Sequence, residues 1–98
     1  MSDTVEIDSE LLPIIPSFLE SRWDDHATIE RLLEAGDYEE LAKLGHRLKG
    51  AGGSYGFDAI TDIGSALERA ATRRDHDAIV HASEMLRHYL ERVMVVYV

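Results

Sequence analysis

The sequence predicts an all-α protein, an antiparallel four-helix bundle running up-down-up-down with a short N-terminal lead-in turn. Three observations predict it. Apolar residues recur at spacings of three and four along most of the chain, the period of an amphipathic helix. Capping and breaking residues punctuate that pattern at Asp8–Ser9, Gly36–Asp37, Gly56 and Asp75. The stretches between are short, so consecutive helices should lie antiparallel.

Residues 1–8 read as a flexible lead-in and residues 9–98 as one domain. Asp8 and Ser9 are candidate N-caps. Pro13 and Pro16 fit only a first turn, or a break between a short turn and a longer helix. The first long helix then carries Ile15, Leu19, Trp23, His26, Ile29 and Leu33 on one stripe, and Gly36 ends it. Asp37 caps the second helix, with Glu40 at capping-box spacing. Leu41, Leu44, Leu48, Ala51 and Tyr55 form its apolar face. After a turn at Gly56, a third helix buries Phe57, Ile60, Ile63, Leu67 and Ala71. Arg73 and Arg74 sit at its end, where cations favour the helix dipole. Asp75 caps the fourth helix, with Ile79, Ala82, Leu86, Tyr89 and Val93 inward. The final VMVVYV is β-prone. It reads as the packed end of the last helix, with an interaction tail as the alternative.

A chain of 98 residues supports one core with little surplus stability. The absence of cysteine excludes a thiolate metal site, a disulfide scaffold and cysteine nucleophiles, and fits a reducing compartment. The polar, acidic N-terminus predicts no secretory leader, and no apolar run reaches the roughly 20 residues of a bilayer span. A cytoplasmic location with no membrane association is expected. A net charge of −9 argues against nucleic acid as the partner. That acidity has a gap: the 17 positions from Leu41 to Phe57 hold no acidic residue but contain Lys43, His46, Arg47 and Lys49.

His46 lies in that gap. With Leu44 at zero on a helical wheel of about 100° per residue, the apolar face falls within about 60° and His46 near 200°. The imidazole should therefore point to solvent from the middle of a helix. Its helical neighbours are Ala42, Lys43, Lys49 and Gly50, with Gly53 one turn further. Gly45, Gly50, Gly52 and Gly53 cluster around it, although each interior glycine costs a helix about 1 kcal/mol relative to alanine. Close approach of another molecule would explain that cost. Alternatively, Gly50–Gly53 form a loop, or Gly45 and Gly52 serve helix packing. A neutral imidazole is a nucleophile near neutral pH. A phosphoryl group on it would be balanced by Lys49 and by Lys43. Arg47 points about 100° away and reads as a partner contact or a solubilising charge. No P-loop, nucleotide fingerprint or magnesium-binding carboxylate cluster accompanies the histidine, so the chain should not draw phosphate from ATP itself.

The run H46-R-L-K49-G50-A-G-G-S-Y-G56 resembles the H-x-L-K-G…G signature of histidine-containing phosphotransfer (HPt) domains. The flanking FLE, GDYEEL and ALERAA segments are similar to that family too, and the resemblance extends over roughly residues 9–93. It implies that His46 is the phosphoacceptor, that Lys49 steadies the phosphoryl charge and that Gly50 admits the partner. A Gln or Glu that hydrogen-bonds the other imidazole nitrogen in many members falls here on Glu68. Arg47 and Gly45 depart from the small polar residue and the alanine frequent at those positions.

The resemblance implies a phosphorelay intermediate in a two-component system, a carrier and not an enzyme. His46 would accept a phosphoryl group from a receiver-domain aspartate, or a kinase, and pass it to another receiver aspartate. Ala42, Lys43, Arg47, Gly50 and Gly53 would form the docking surface. Partners would be receiver domains of response regulators or of a hybrid histidine kinase. No intrinsic cofactor is expected, Mg²⁺ being supplied within the receiver, and a monomer is the default for so polar a bundle. Three rivals remain at this point: direct phosphorylation by a kinase catalytic domain, a helical adaptor without phosphorylation, and a small metal-dependent enzyme. The last lacks a convergent ligand set. His81, Glu84 and His88 share a face of the last helix, but i to i+7 spans about 10 Å, too far for one ion. His26 reads as a partly buried, hydrogen-bonded histidine and His76 as a solubilising one.

Overall fold

The computed structural model describes residues 3–98. In order they form β1 (Thr4–Ile7), a 3₁₀ turn (Ser9–Leu11), α1 (Ile15–Glu34), α2 (Tyr38–Tyr55), α3 (Asp58–Thr72), α4 (His76–Arg92) and β2 (Met94–Tyr97). The four long helices pack as an antiparallel bundle, as the periodicity predicts.

The caps act where the sequence places them, with one redistribution. Asp37 accepts from the Glu40 backbone N–H and Asp75 from that of Ala78, each at 3.1 Å, satisfying donors that a helix start leaves unpaired. Asp8 instead caps the 3₁₀ turn, accepting from Glu10 N–H at 2.9 Å. α1 then starts without a side-chain cap and holds Pro16 in its first turn. Proline is tolerated there because its missing N–H would have had no helical partner.

The apolar stripes meet in one core. Ile29, Leu41, Phe57, Ile60, Leu67, Ile79 and Leu86 are fully buried. At one end Phe18 stacks on Phe57 with centroids 5.1 Å apart and touches Tyr55 at 4.5 Å, tying α1 to the α2–α3 turn. That turn needs Gly56, whose φ of 84° lies in the left-handed region. Trp23, assigned to the α1 stripe, sits at its margin and is 39% exposed. Along α1 only Ile15, Phe18 and Ile29 are buried, while Leu19, Leu32 and Leu33 pack half-buried against the core.

Two segments differ from expectation. The lead-in expected to be flexible holds β1, and the tail expected to continue the last helix holds β2. They pair in parallel, Thr4 opposite Met94 through Ile7 opposite Tyr97. Val5 and Ile7 face the bundle, as do Val95 and Tyr97, and Ile7 is buried against the core. Alternating burial along both strands supplies the reason: each hides every second side chain, and neither could do so alone.

Arg74 closes α3 with φ 55°, a conformation that costs an L-residue about 1–2 kcal/mol. Its guanidinium lies 6.0 Å from the Tyr38 ring centroid, a weak, exposed compensation. Arg74→Gly should therefore stabilise the fold by about 1 kcal/mol. A urea titration checks this: an unchanged or lowered midpoint would show that the ring contact outweighs the backbone strain.

Candidate functional site

Gly45 and Gly64 determine how close α2 and α3 come. A Cβ built on Gly45 would sit 2.6 Å from the Glu68 backbone nitrogen and 2.9 Å from its Cα. One built on Gly52 would sit 2.5 Å from the Thr61 nitrogen, and one on Gly64 would collide with the Lys49 backbone. Backbone therefore lies where side chains would otherwise be. The close approach has a consequence one residue along the chain. It brings Glu68 of α3 across to His46 of α2.

The His46 side chain is 70% exposed, and its Nδ1 stands 3.0 Å from Glu68 Oε2. A carboxylate can only accept, so Nδ1 is the donor; in the neutral ring that arrangement puts the lone pair on Nε2. The other Glu68 oxygen, Oε1, lies 3.9 Å from Lys49 Nζ. One carboxylate thus faces both the imidazole and the lysine. Glu68 is itself held by its helix, where Thr72 Oγ1 donates to the Glu68 carbonyl at 2.8 Å. On the other side, Thr61 Oγ1 reaches the Lys49 carbonyl at 3.3 Å.

Ala42, Lys43, Arg47 and Thr72 join His46 and Glu68 around a shallow depression of about 560 Å³. Lys43 does not turn toward the imidazole. Its Nζ lies 3.4 Å from Glu40 and 3.7 Å from Glu39, one turn back. The hydrogen bond that Lys43 donates to Glu40 raises the lysine's pKa, with the charges of Glu40 and Glu39 adding to the effect. Lys49 is therefore the cation nearer the His46–Glu68 contact. Toward α1, burial raises the Asp25 carboxyl above its ordinary range, against the pull of Arg22, whose Nε donates to it at 2.8 Å, and of the Arg47 charge.

The glycines divide by task. Nothing lies within 4 Å of a Cβ built on Gly50, and only Thr61 Oγ1, at 4.0 Å, approaches one built on Gly53. These two leave the ridge beside His46 bare. Gly45 and Gly52 serve helix packing, one of the alternatives the sequence left open. Gly64 and Thr72 escaped the sequence reading. A glycine in mid-α3, where alanine is the better helix former, was the available signal for Gly64. Thr72 gave none beyond lying one turn after Glu68.

Gly50→Ala separates these tasks. With open space for the new methyl and a better helix former in place, stability should rise by up to about 1 kcal/mol. Thermal melts check the sign, and a loss of stability would mean that Gly50 serves the fold after all.

Chemically, the arrangement offers a fixed, exposed nucleophilic nitrogen with an anion on its far side and a cation beside it. Among the described residues, no helix is long and apolar enough to cross a membrane. Comparison with known families finds one match, the model of the Hpt domain, over residues 14–94, which is most of the chain. No curated protein and no solved structure matches the chain.

Proposed function

The chain belongs to the Hpt domain family, whose members carry phosphoryl groups on histidine in phosphorelay signalling and interact with receiver domains, and from that premise we propose that His46 is the carrier residue. The observation that carries this reading is the 3.0 Å contact between His46 Nδ1 and Glu68, made at an exposed imidazole. It leaves Nε2 as the attacking atom.

Nε2 attacks the phosphorus of an aspartyl phosphate on a docked receiver domain. The N–P bond forms, the P–O bond to the aspartate breaks, and the aspartate leaves as a carboxylate. Because Nδ1 keeps its proton, the phosphorylated ring carries positive charge, which Glu68 stabilises from 3.0 Å. Lys49 balances the negative phosphoryl oxygens. Transfer onward to a second receiver aspartate is the reverse reaction with a different partner. The receiver supplies the remaining catalytic groups and its Mg²⁺. The receiver seats on Gly50, Gly53 and Ala42, with Lys43 and Arg47 as rim contacts. These events belong in the cytoplasm.

The test is transfer from a receiver domain carrying labelled phosphate. The label should move to this chain and map to His46 as an acid-labile, base-stable phosphate. Label on any other residue, or none with every receiver tried, would overturn the assignment. Glu68 gives a graded check. A hydrogen bond to a charged group contributes about 1.5–3 kcal/mol, and the exposed setting favours the lower end. Glu68→Ala should slow transfer about tenfold without changing the site of labelling, and Glu68→Gln should slow it less. Equal rates for all three would remove Glu68 from the reaction.

A further inference from the structure

Among the described residues, no further strand pairs with the outer edge of β2 in the two-stranded sheet. Met94 N–H donates to Asp3 C=O, Val98 N–H to Ile7 C=O, and Ser9 N–H to Val98 C=O. Even-numbered residues of β2 therefore make the ladder to β1. Strand alternation directs the N–H and C=O groups of Val95 and Tyr97 the other way. No third strand pairs there among the described residues. The face of β2 turned from the bundle is apolar and open, with Met94 66%, Val96 46% and Val98 65% exposed. Natural edges are usually blunted by a charge, a proline or a bulge. Val93–Val98 contains no charged residue and no proline.

We infer that the β2 edge is a homodimer interface, in which β2 of a second copy pairs antiparallel to form a four-stranded sheet ordered β1-β2-β2-β1. The strand is self-complementary about Val96. A two-fold axis there makes Val95 and Tyr97 of the two copies hydrogen-bonded pairs, so that four backbone bonds form between groups unused in one chain. The same axis places Val96 against Val96 and Met94 against Val98, so the exposed apolar residues cover one another.

Self-complementarity about Val96 selects the occupant, and charge selects the edge. Each copy carries −9, and pairing through β1 would bring the two Glu6 carboxylates together. Pairing through β2 keeps the two β1 strands three strand spacings apart, roughly 14 Å, which is beyond the screening length of about 8 Å at physiological salt. The uncharged strand is thus a place where two acidic copies can meet. The patch is small beside a standard interface, so a weak, concentration-dependent dimer is the outcome, in place of the monomer expected from the polar sequence.

Because the chain has no cysteine, single-cysteine variants report on geometry without interference. Val96 pairs with its own copy at a non-hydrogen-bonded position, where a Cα separation of about 4.5 Å permits a disulfide. Val96→Cys should cross-link under mild oxidation at least tenfold faster than Ser54→Cys, an exposed position on α2. In sedimentation over a concentration series, the unmodified protein should dimerise. Val96→Lys should weaken that association at least tenfold while leaving the helical spectrum and melting temperature unchanged. A protein that stays monomeric throughout, with Val96→Cys cross-linking no faster than Ser54→Cys, overturns the proposal and leaves the edge to a strand of another protein. Dimerisation that survives Val96→Lys also overturns it, because the contact then lies elsewhere.

Discussion

Replacing His46 with Gln is expected to reduce phosphoryl transfer to background while leaving the fold intact. The two halves of that expectation have separate causes. The side chain is 70% exposed and contributes nothing to the core, so its replacement should change stability by no more than about 0.5 kcal/mol. Its contact with Glu68 joins two helices that Gly45, Gly52 and Gly64 already hold together. Glutamine can still offer an N–H to that carboxylate, but its amide nitrogen has no basic lone pair. The nucleophile is lost, not merely mispositioned. Transfer should therefore fall much further than the tenfold expected for Glu68→Ala. Residual labelling would have to come from another histidine, and none of His26, His76, His81 or His88 lines the depression around His46. The measurement is label transfer from a phosphorylated receiver, with circular dichroism and a thermal melt on the same sample. Undiminished transfer by a folded His46→Gln protein would sink the proposed mechanism. Continued signalling by that variant without any phosphate would favour an adaptor role.

The helices were legible in the sequence because each carries its own evidence. Asp37 and Asp75 announce α2 and α4 by local hydrogen bonds, and stripes such as Ile60, Ile63 and Leu67 repeat within a few turns. The exposure of His46 was legible by the same logic, since a helical wheel needs only the phase of one helix. The parallel sheet was not. Thr4–Ile7 and Met94–Tyr97 are four residues each, too short for alternation to stand out, and each strand depends on a partner some 90 positions away. The glycines fall between these cases. Their cost to α2 is visible locally, but Gly50 and Gly45 look alike until α3 is placed. Then one faces open space and the other the Glu68 backbone. Glu68 itself was reached through resemblance to a family. Nothing in the local sequence distinguishes it from the other glutamates, because its partner belongs to another helix.

Gly64→Ala should produce the largest loss of stability among the substitutions considered, and its sign depends on a contest between two effects. Alanine is the better helix former by about 1 kcal/mol, so propensity alone predicts a gain. The added methyl, however, would lie 2.8 Å from the Gly45 carbonyl oxygen and 2.8 Å from the Lys49 Cα, and closer still to the Lys49 nitrogen. These are backbone atoms of a helix, so no side chain can swing aside and α2 must move away from α3. Overpacking of this kind costs about 1–3 kcal/mol and at times more, and collision with backbone on two residues belongs at the upper end. A net loss of about 2 kcal/mol follows, which for a domain of this size lowers the melting temperature by roughly 8–16 °C. The displacement also reaches the site, because Gly45 and Lys49 flank His46 and the same helices carry the Glu68 contact. Phosphoryl transfer, measured at a temperature where the variant is fully folded, should slow by about as much as in Glu68→Ala, since separating the helices lengthens the 3.0 Å hydrogen bond. Gly50→Ala is the matched control: the same chemical change with nothing in contact, and a stability effect of opposite sign. If Gly64→Ala instead melts at or above the parent temperature, the helices can separate at little cost, and the close approach of α2 and α3 is not what positions Glu68 beside His46.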